Sequence, residues 1–349
     1  MRILVLNAGS SSLKYKLFET DESKVLFSGV IQQIGESSSK YANHHDAMES
    51  LNMDFSTIDA VGHRVVHGGE KFSSAIVIDK NVESEIEALI PLAPLHNRAN
   101  LEGIKVVKLQ STTIPQVAVF DTAFHSTMTK EAYLYAIPLE MYAKHNIRRY
   151  GFHGTSHSFV LKSTAKTLKK EVNTLNLITL HLGNGASVCA IKNGKSIDTS
   201  MGFTPLEGLV MGSRSGDIDP AIVLYMQREL GLNVDEVDSI LNKKSGLVGI
   251  CGENDVRMIL ESENKNSKLA LSMMIRRIQK YIGAYMALLG SVDAVVFTGG
   301  IGENSSYVRD EVMSSELFKD TRVLVVRTDE ELEIALEVEA IMKKKVDNE

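Results

Sequence analysis

The chain has 349 residues, 44% of them hydrophobic and 23% charged, with 38 Lys and Arg against 44 Asp and Glu for a net charge of −6. That length predicts two domains, each able to bury its own core, and the mild acidity argues against a broad electrostatic surface for nucleic acid or for an anionic membrane. The apolar start MRILVLNAGSSS is too short for a signal peptide and no run approaches bilayer length, so a cytoplasmic protein without a membrane partner is expected.

Residues 2–18 read as strand, turn, strand: ILVL is a buried-strand pattern, AGSSS breaks it, and LKYKLF alternates apolar with polar. The small hydroxyl residues of NAGSSSLK would let backbone amides approach phosphate oxygens, with Asn7, Ser10, Ser12 and Lys14 as the polar members; taken alone, the segment reads first as a plain hairpin turn. In VGHRVVHGGEKF, His63, Arg64, His67 and Glu70 lie among apolar residues, and a strand-borne Arg64 needs a ligand or an ion-pair partner. PLAPLHNRAN places Leu95, His96 and Asn97 in a loop. Asp121 follows the buried strand VAVF, a frequent position for metal or substrate chemistry in α/β domains, though a helix N-cap would also explain it.

RRYGFHGTSHSF, residues 148–159, packs two arginines, two histidines and two glycines around Phe152, a density that a single buried histidine does not require. Leu177–Leu182 is mostly apolar, GNGAS turns, and VCAIKNGKSI resumes as strand with a hairpin signal at Asn193-Gly194. LITLHLGNGAS aligns loosely with ILVLNAGSSSL, which suggests two halves built on one plan. DTSMGFTPLEGLVMGSRSGDIDP adds Asp198, Thr199, Arg214, Asp217 and Asp219 to His181 and Asn184, and Arg214 has the loop setting of an arginine that clamps a charged group.

From about Ser267, Leu271, Met274, Ile275, Ile278, Tyr281, Ile282, Tyr285, Leu288 and Leu289 recur at helical spacing and predict a core helix. DAVVFTGGIGENSS predicts a buried strand, a Gly-rich turn and a helix just after. Thr328 with Glu331 predicts a capping box opening a C-terminal helix with a Leu332, Leu336, Ala340 face and a solvated KKKVDNE tail. No low-complexity linker separates the halves, so they are expected to share a tight cleft. Cys189 and Cys251 form no metal or disulfide framework and are expected to be reduced.

Several standard sites are missing. There is no GxxxxGK[ST], GTSHS is not a nucleophile elbow, the protein-kinase motifs are absent, and GGIGEN lacks the strand–turn–helix unit and trailing acid of a dinucleotide fingerprint. What remains is a doubled hairpin, phosphate-friendly turns, isolated arginines and acids available to Mg²⁺, which are the parts phosphoryl transfer requires.

In order along nearly the whole chain, NAGSSSLKYKLF, GHRVVHGGEKF, PLHN, FDTAFH, RRYGFHGTSH, HLGNGASV, DTSMGFTPLEGLVMGSRSGDIDP, FTGGIGENS and TDEE resemble the acetokinase family, in the acetate and sugar kinase, Hsp70 and actin superfamily. The resemblance implies an α/β, actin-like ATPase fold of two ribonuclease-H-like domains with the active site in the cleft between them. The first domain would be residues 1–148 joined by a C-terminal helix at about 331–349, and the nucleotide-binding domain 149–330. It implies reversible in-line transfer of the ATP γ-phosphoryl to acetate, Mg²⁺ (with Mn²⁺ able to substitute), and a homodimer.

By the same resemblance Asn7, Ser10, Ser12 and Lys14 form the first phosphate hairpin, and His181, Gly183, Asn184 and Gly185 the second. Gly300, Ile301, Gly302 and Asn304 line the adenosine pocket near Asp255 and Arg257. Arg64 and Arg214 hold the carboxylate and the phosphoryl group, His153 stabilises the transition state, and Asp121, Asn7 and Glu330 serve the metal and substrate orientation. Val66, Leu95, Phe152 and Pro205 make the acyl pocket. Glu330 has a structural alternative, because an acid in a helix's first turn is favoured by the dipole. The chain is several dozen residues shorter than its typical relatives, with deficits expected at 28–59 and 311–320. Rival readings are a propionate or butyrate kinase, an ATPase switch without an acyl acceptor, and an inactive scaffold.

Overall fold

The computed structural model describes residues 1–9, 11–36, 39–94 and 96–346. The chain separates into two compact units, one of Met1–Ser126, Gly154–Ser158 and Asp329–Glu349, the other of Thr127–His153 and Phe159–Thr328. Each is a mixed α/β unit built on its own sheet.

In the first unit, β1 (Arg2–Ala8), β2 (Leu13–Glu19), β3 (Lys24–Ile31), β4 (Ala60–Val65), β5 (Ile76–Val77) and β6 (Gln116–Phe120) form one sheet in the order β3-β2-β1-β4-β6-β5. Six of the seven β1 residues are buried because both of its faces are covered, as its nearly unbroken apolar run requires. Leu4 and Leu6 pack with Ala99, Val106 and Val107 of the helix His96–Gln110. Ile3 and Val5, pointing the other way, pack with Ile334, Ala335 and Val338 of the helix Glu330–Val346. That second packing draws the chain's last helix into the unit formed by its first residues.

Three details differ from the sequence reading. His96 and Asn97 lie in the first turn of a helix, not in a loop. The cap of the last helix is Asp329, whose carboxylate accepts the Leu332 N–H at 3.1 Å, in place of Thr328. Its buried face is Ile334, Ala335 and Val338, whereas Leu332 and Leu336 are half-buried and Ala340 exposed. Glu331 and Glu333 share the buried side, because Lys16 pairs with Glu331 at 3.1 Å and Ser158 donates to Glu333 at 2.5 Å. A periodicity count treats those two acids as solvent-facing, since it cannot see their partners.

The second unit carries β7 (Leu177–Leu182), β8 (Ala186–Lys192), β9 (Lys195–Thr199), β10 (Ala294–Thr298) and β11 (Val323–Val325), in the order β11-β10-β7-β8-β9. Asn193 (φ 50°) and Gly194 (φ 71°) both adopt the left-handed conformation demanded by a two-residue hairpin of the I′ type. The helix Lys265–Leu289 packs against β8 and the helix Gly246–Cys251 and buries Leu271, Met274, Ile275, Ile278, Ile282, Tyr285 and Leu289, while Leu288 is exposed. β10 runs directly into the helix Gly299–Asn304, so the expected glycine turn is itself helical and a strand-to-helix passage is present after all. Residues 127–153 pack in this unit. Arg148 stacks on Tyr133 with its guanidinium carbon 3.5 Å from the ring centre, and Arg149 binds the Thr199 carbonyl at 2.8 Å and the Glu207 carboxylate at 2.6 Å. Both cysteines are free thiols.

Candidate active site

Each unit assembles its own group of polar side chains at the ends of its central strands. In the first, Arg64 near the end of β4 donates from Nε (3.0 Å) and Nη2 (2.5 Å) to the Asp121 carboxylate and from Nη1 to the Asn7 amide oxygen at 3.1 Å. Parallel pairing causes this convergence. β1, β4 and β6 end on the same side, so Asn7, Arg64 and Asp121 reach one place although they lie far apart in sequence. Burial opposes the Arg64 charge, but Asp121 and then Glu330 outweigh it and hold the guanidinium firmly protonated. Glu330 sits at the start of the last helix, and burial pushes its carboxyl up to about 7, with Asp121 and Glu331 adding to the rise against the pull of Arg64. Asn7 also donates to Glu331 at 3.4 Å, and Lys14 lies opposite Asn7 across the hairpin.

Two asparagines not singled out for a role hold this end of the sheet. Asn97 accepts the His67 N–H and donates to the His67 carbonyl, both at 3.0 Å. Asn100 accepts the Val66 N–H at 3.1 Å and donates to the Ala8 carbonyl at 2.7 Å, tying the first hairpin to the segment after β4. Their three-residue spacing, one helical face, was the available signal.

In the second unit, His153 takes a left-handed conformation (φ 57°) immediately before the helix Gly154–Leu168. Its Nδ1 lies 2.9 Å from Ser187 Oγ, and its ring stacks on that of His181 at 4.2 Å between centres. Gly185 leaves a space that a side chain would fill: a Cβ there would stand 3.5 Å from both His153 Nε2 and Arg214 Nη1. Arg214 donates to the Pro205 carbonyl at 3.2 Å and, among the described residues, meets no carboxylate; burial alone lowers its pKa. A half-buried cation left uncompensated beside an imidazole is a receptor for an anion.

Close to this group lies a pocket of about 520 Å³ lined by Gly183, Asn184, Asp255, Arg257, Gly300, Ile301 and Asn304, with Val256 and Leu260 supplying apolar wall. Arg257 pairs with Asp255 at 2.5 Å, which holds that carboxyl down to about 2. Its mixture of aliphatic surface and polar rim suits a flat heterocycle with a hydroxylated arm.

The residues singled out in the sequence therefore fall into two sets. The first unit joins Asn7, Arg64, Asp121 and Glu330, with Ser12 and Lys14 on the hairpin and Val66 buried just beyond β4. The second joins His153, His181, Gly185, Arg214 and Pro205, with Phe152 buried next to His153. Gly302 is buried on Leu182 and Phe297 and does not line the pocket. Ser10 and Leu95 lie outside the described residues. Sequence reading missed Ser187 as the partner of His153 and the Tyr135–Glu207–Arg149 cluster that anchors the loop before Arg214.

The profile of the acetokinase family matches residues 2–54 and 43–338. The chain belongs to the acetokinase family. It is 53% identical to an acetate kinase of Sulfurimonas denitrificans over 98% of this chain and 100% of that one, and 49% identical to an acetate kinase of Helicobacter acinonychis over 99% and 100%. Among solved structures it is similar to the acetate kinase of Porphyromonas gingivalis (TM-score 0.92, 40% identity, 98% and 99% coverage) and to a propionate kinase from Francisella tularensis (TM-score 0.91, 42% identity, 96% and 98%). The alignment with the Sulfurimonas family member runs over 388 positions against 349 residues here, so that protein carries stretches this chain lacks. The profile matches in two pieces that meet at 43–54, which places one break within the short 28–59 segment.

Proposed function

We propose that this acetokinase-family kinase transfers the γ-phosphoryl group of ATP to acetate, giving acetyl phosphate and ADP, and runs the same step in reverse. The observation that carries the chemistry is the Arg214–His153 pair facing the space above Gly185, beside a pocket shaped for adenosine. A carboxylate is already ionised at neutral pH and needs no general base, but two anions must meet, so cations do the work. Arg214 binds the transferring phosphoryl oxygens, and His153, oriented by Ser187 on Nδ1, presents Nε2 to the charge that develops on them. In the first unit Arg64, fixed by Asp121 and Asn7, is the cation for the acetate carboxylate. Val66, buried just beyond β4, supplies a small apolar surface for its methyl group, and Ser12 and Lys14 the phosphate contacts of the first hairpin.

Mg²⁺ fits the donors of the first unit. Asp121, Glu330 and Asn7 offer hard oxygens, and Mg²⁺ takes one or two carboxylates together with nucleotide phosphates and water. Among the described residues no group of three or more His, Cys, Asp or Glu is placed to hold a metal. Bound to the first unit's donors, Mg²⁺ would neutralise phosphate charge, and Mn²⁺ shares the same ligand preference. No described helix is long and apolar enough to cross a membrane. We assign a second copy of the chain to the helix Pro220–Arg228, since it buries none of its residues and exposes Ile222, Leu224 and Tyr225. Light scattering on the purified protein tests that assignment, and a strictly monomeric mass would overturn it.

Purified protein with MgATP and acetate, propionate or butyrate, with hydroxylamine trapping acyl phosphate, tests the activity. Hydroxamate with acetate is expected; its absence with every acid would sink the kinase reading, and acid-independent ATP turnover would favour an ATPase. Propionate remains the second reading because of the similarity to a propionate kinase. One methylene is worth only about 1–3 kcal/mol of discrimination, so the ratio of kcat/KM values between the two acids decides it.

A further inference from the structure

Glu303 lies in the helix Gly299–Asn304 that floors the nucleotide pocket, yet it does not face that pocket. One carboxylate oxygen, Oε1, receives three donors: the Gly299 N–H at 3.0 Å, the Thr298 hydroxyl at 3.3 Å and the Thr328 N–H at 3.1 Å. The first two belong to the turn that presents Gly300 and Ile301 to the pocket. That turn packs directly on the end of β7, since Gly299 has φ +77° and a Cβ on it would meet the Leu182 carbonyl oxygen at 2.8 Å. The third donor belongs to a different segment. Val326 leaves β11 with its N–H on the Phe297 carbonyl at 3.0 Å, Thr328 follows, and at Asp329 the chain passes from the second unit into the first. Asp329 caps the last helix and pairs with Lys16 at 2.9 Å, and Glu330 comes next.

We propose that Glu303 is a positioning residue that couples the nucleotide pocket to the chain segment leading into the last helix, so that ADP in the pocket and the order of residues 326–329 stabilise one another. This rests on the reading of that pocket as the adenosine site. The physical ground is that one oxygen serves both segments. Any shift of the glycine turn on binding changes the geometry at Oε1 and therefore the bond to Thr328. By linkage, an ordered segment must favour ADP by the same factor.

The test combines calorimetric ADP titration with hydrogen exchange of residues 326–329, on the wild-type chain and on Glu303→Ala, Glu303→Gln and Glu303→Asp. In the wild type, ADP is expected to slow exchange at the Thr328 amide. Glu303→Ala should exchange faster there, lose the response to ADP, and bind ADP about tenfold more weakly, the typical effect of one hydrogen bond to a charged group. Glu303→Gln keeps an acceptor oxygen and should recover most of both properties. Glu303→Asp keeps the charge on a shorter arm and should resemble alanine at Thr328. ADP binding within twofold of wild type in both the alanine and aspartate variants, or a wild-type Thr328 amide indifferent to ADP, would overturn the coupling alone. A wild-type chain that binds no ADP would remove the adenosine reading and this inference with it.

Discussion

The two sheets can be overlaid strand for strand, and they differ in where they put their charge. β3-β2-β1-β4-β6 in the first unit and β9-β8-β7-β10-β11 in the second share the same order and the same parallel and antiparallel pairings. Both also shift register in the second hairpin, at Leu17/Phe18 and Ala190/Ile191. Even the central register matches, with Ile3 beside Ala60 in one and Leu177 beside Ala294 in the other. On that register His63 and Arg64 of β4 stand where β10 has Phe297 and Thr298. The first unit thus carries one cation, Arg64, on its central strand and pairs it with its own Asp121, beside a His63 that burial keeps neutral. The second keeps the strand mostly apolar, carries its polar side chains in the turns beyond it, and brings no carboxylate among the described residues to Arg214. A duplicated scaffold can therefore hold one cation paired within its own unit and one that, among the described residues, meets no carboxylate.

Removing each arginine should break this contrast most sharply. Arg64→Ala would strand Asp121, whose side chain is only 1% exposed, and is expected to cost about 3–5 kcal/mol of stability in addition to activity, measured by denaturant unfolding. Stability unchanged within error would mean that the pair is not a structural ion pair. Arg214→Ala should do the reverse. Phosphoryl transfer should fall about 10²-fold or more while stability and ADP binding hold, because no carboxylate loses a partner. A loss of stability comparable to that of Arg64→Ala would contradict the assignment.

The swap His63→Phe, which gives β4 the residue of β10, tests a smaller difference. His63 is buried, and burial pushes its pKa down to about 4 despite the Gln116 bond at 2.7 Å. Its folded-state value lies below the unfolded one of about 6.5, so its stability contribution is present above that pH and is lost as pH falls through the window between them. From pH 7.5 to 5 the wild type should lose about 2 kcal/mol through this group, and the phenylalanine variant should show a flatter profile. Identical slopes would assign the acid sensitivity elsewhere. The smallest effect is expected at Gly185→Ala. The added methyl group makes only ordinary contacts with His153 and Arg214, so the melting temperature should hold, yet transfer should drop about tenfold as the methyl occupies the anion's place. Full activity would show that the space above Gly185 is not used.

Much of this was legible in the chain itself. Alternation in ILVL and LKYKLF, the Asn193-Gly194 turn, and the period of the helix Lys265–Leu289 are local signals with one physical meaning each. The ordered motifs gave the family and, through it, the residues that converge in each unit. What local pattern could not reveal were bonds between distant segments. Asn97 and Asn100 hold β4's exit, Ser187 orients His153, Glu331 and Glu333 turn inward against Lys16 and Ser158, and Glu303 receives Thr328. Each is a polar group whose position depends on a partner 25 or more residues away, and no periodicity encodes that. By itself the sequence determined the central strands, though not β3, β5 or β11, and which chemistry the chain carries, because burial and turn conformation act over a few residues. Tertiary structure alone decided which arginine meets a carboxylate of its own unit and which does not, because that depends on which carboxylates the parallel strand ends bring within reach.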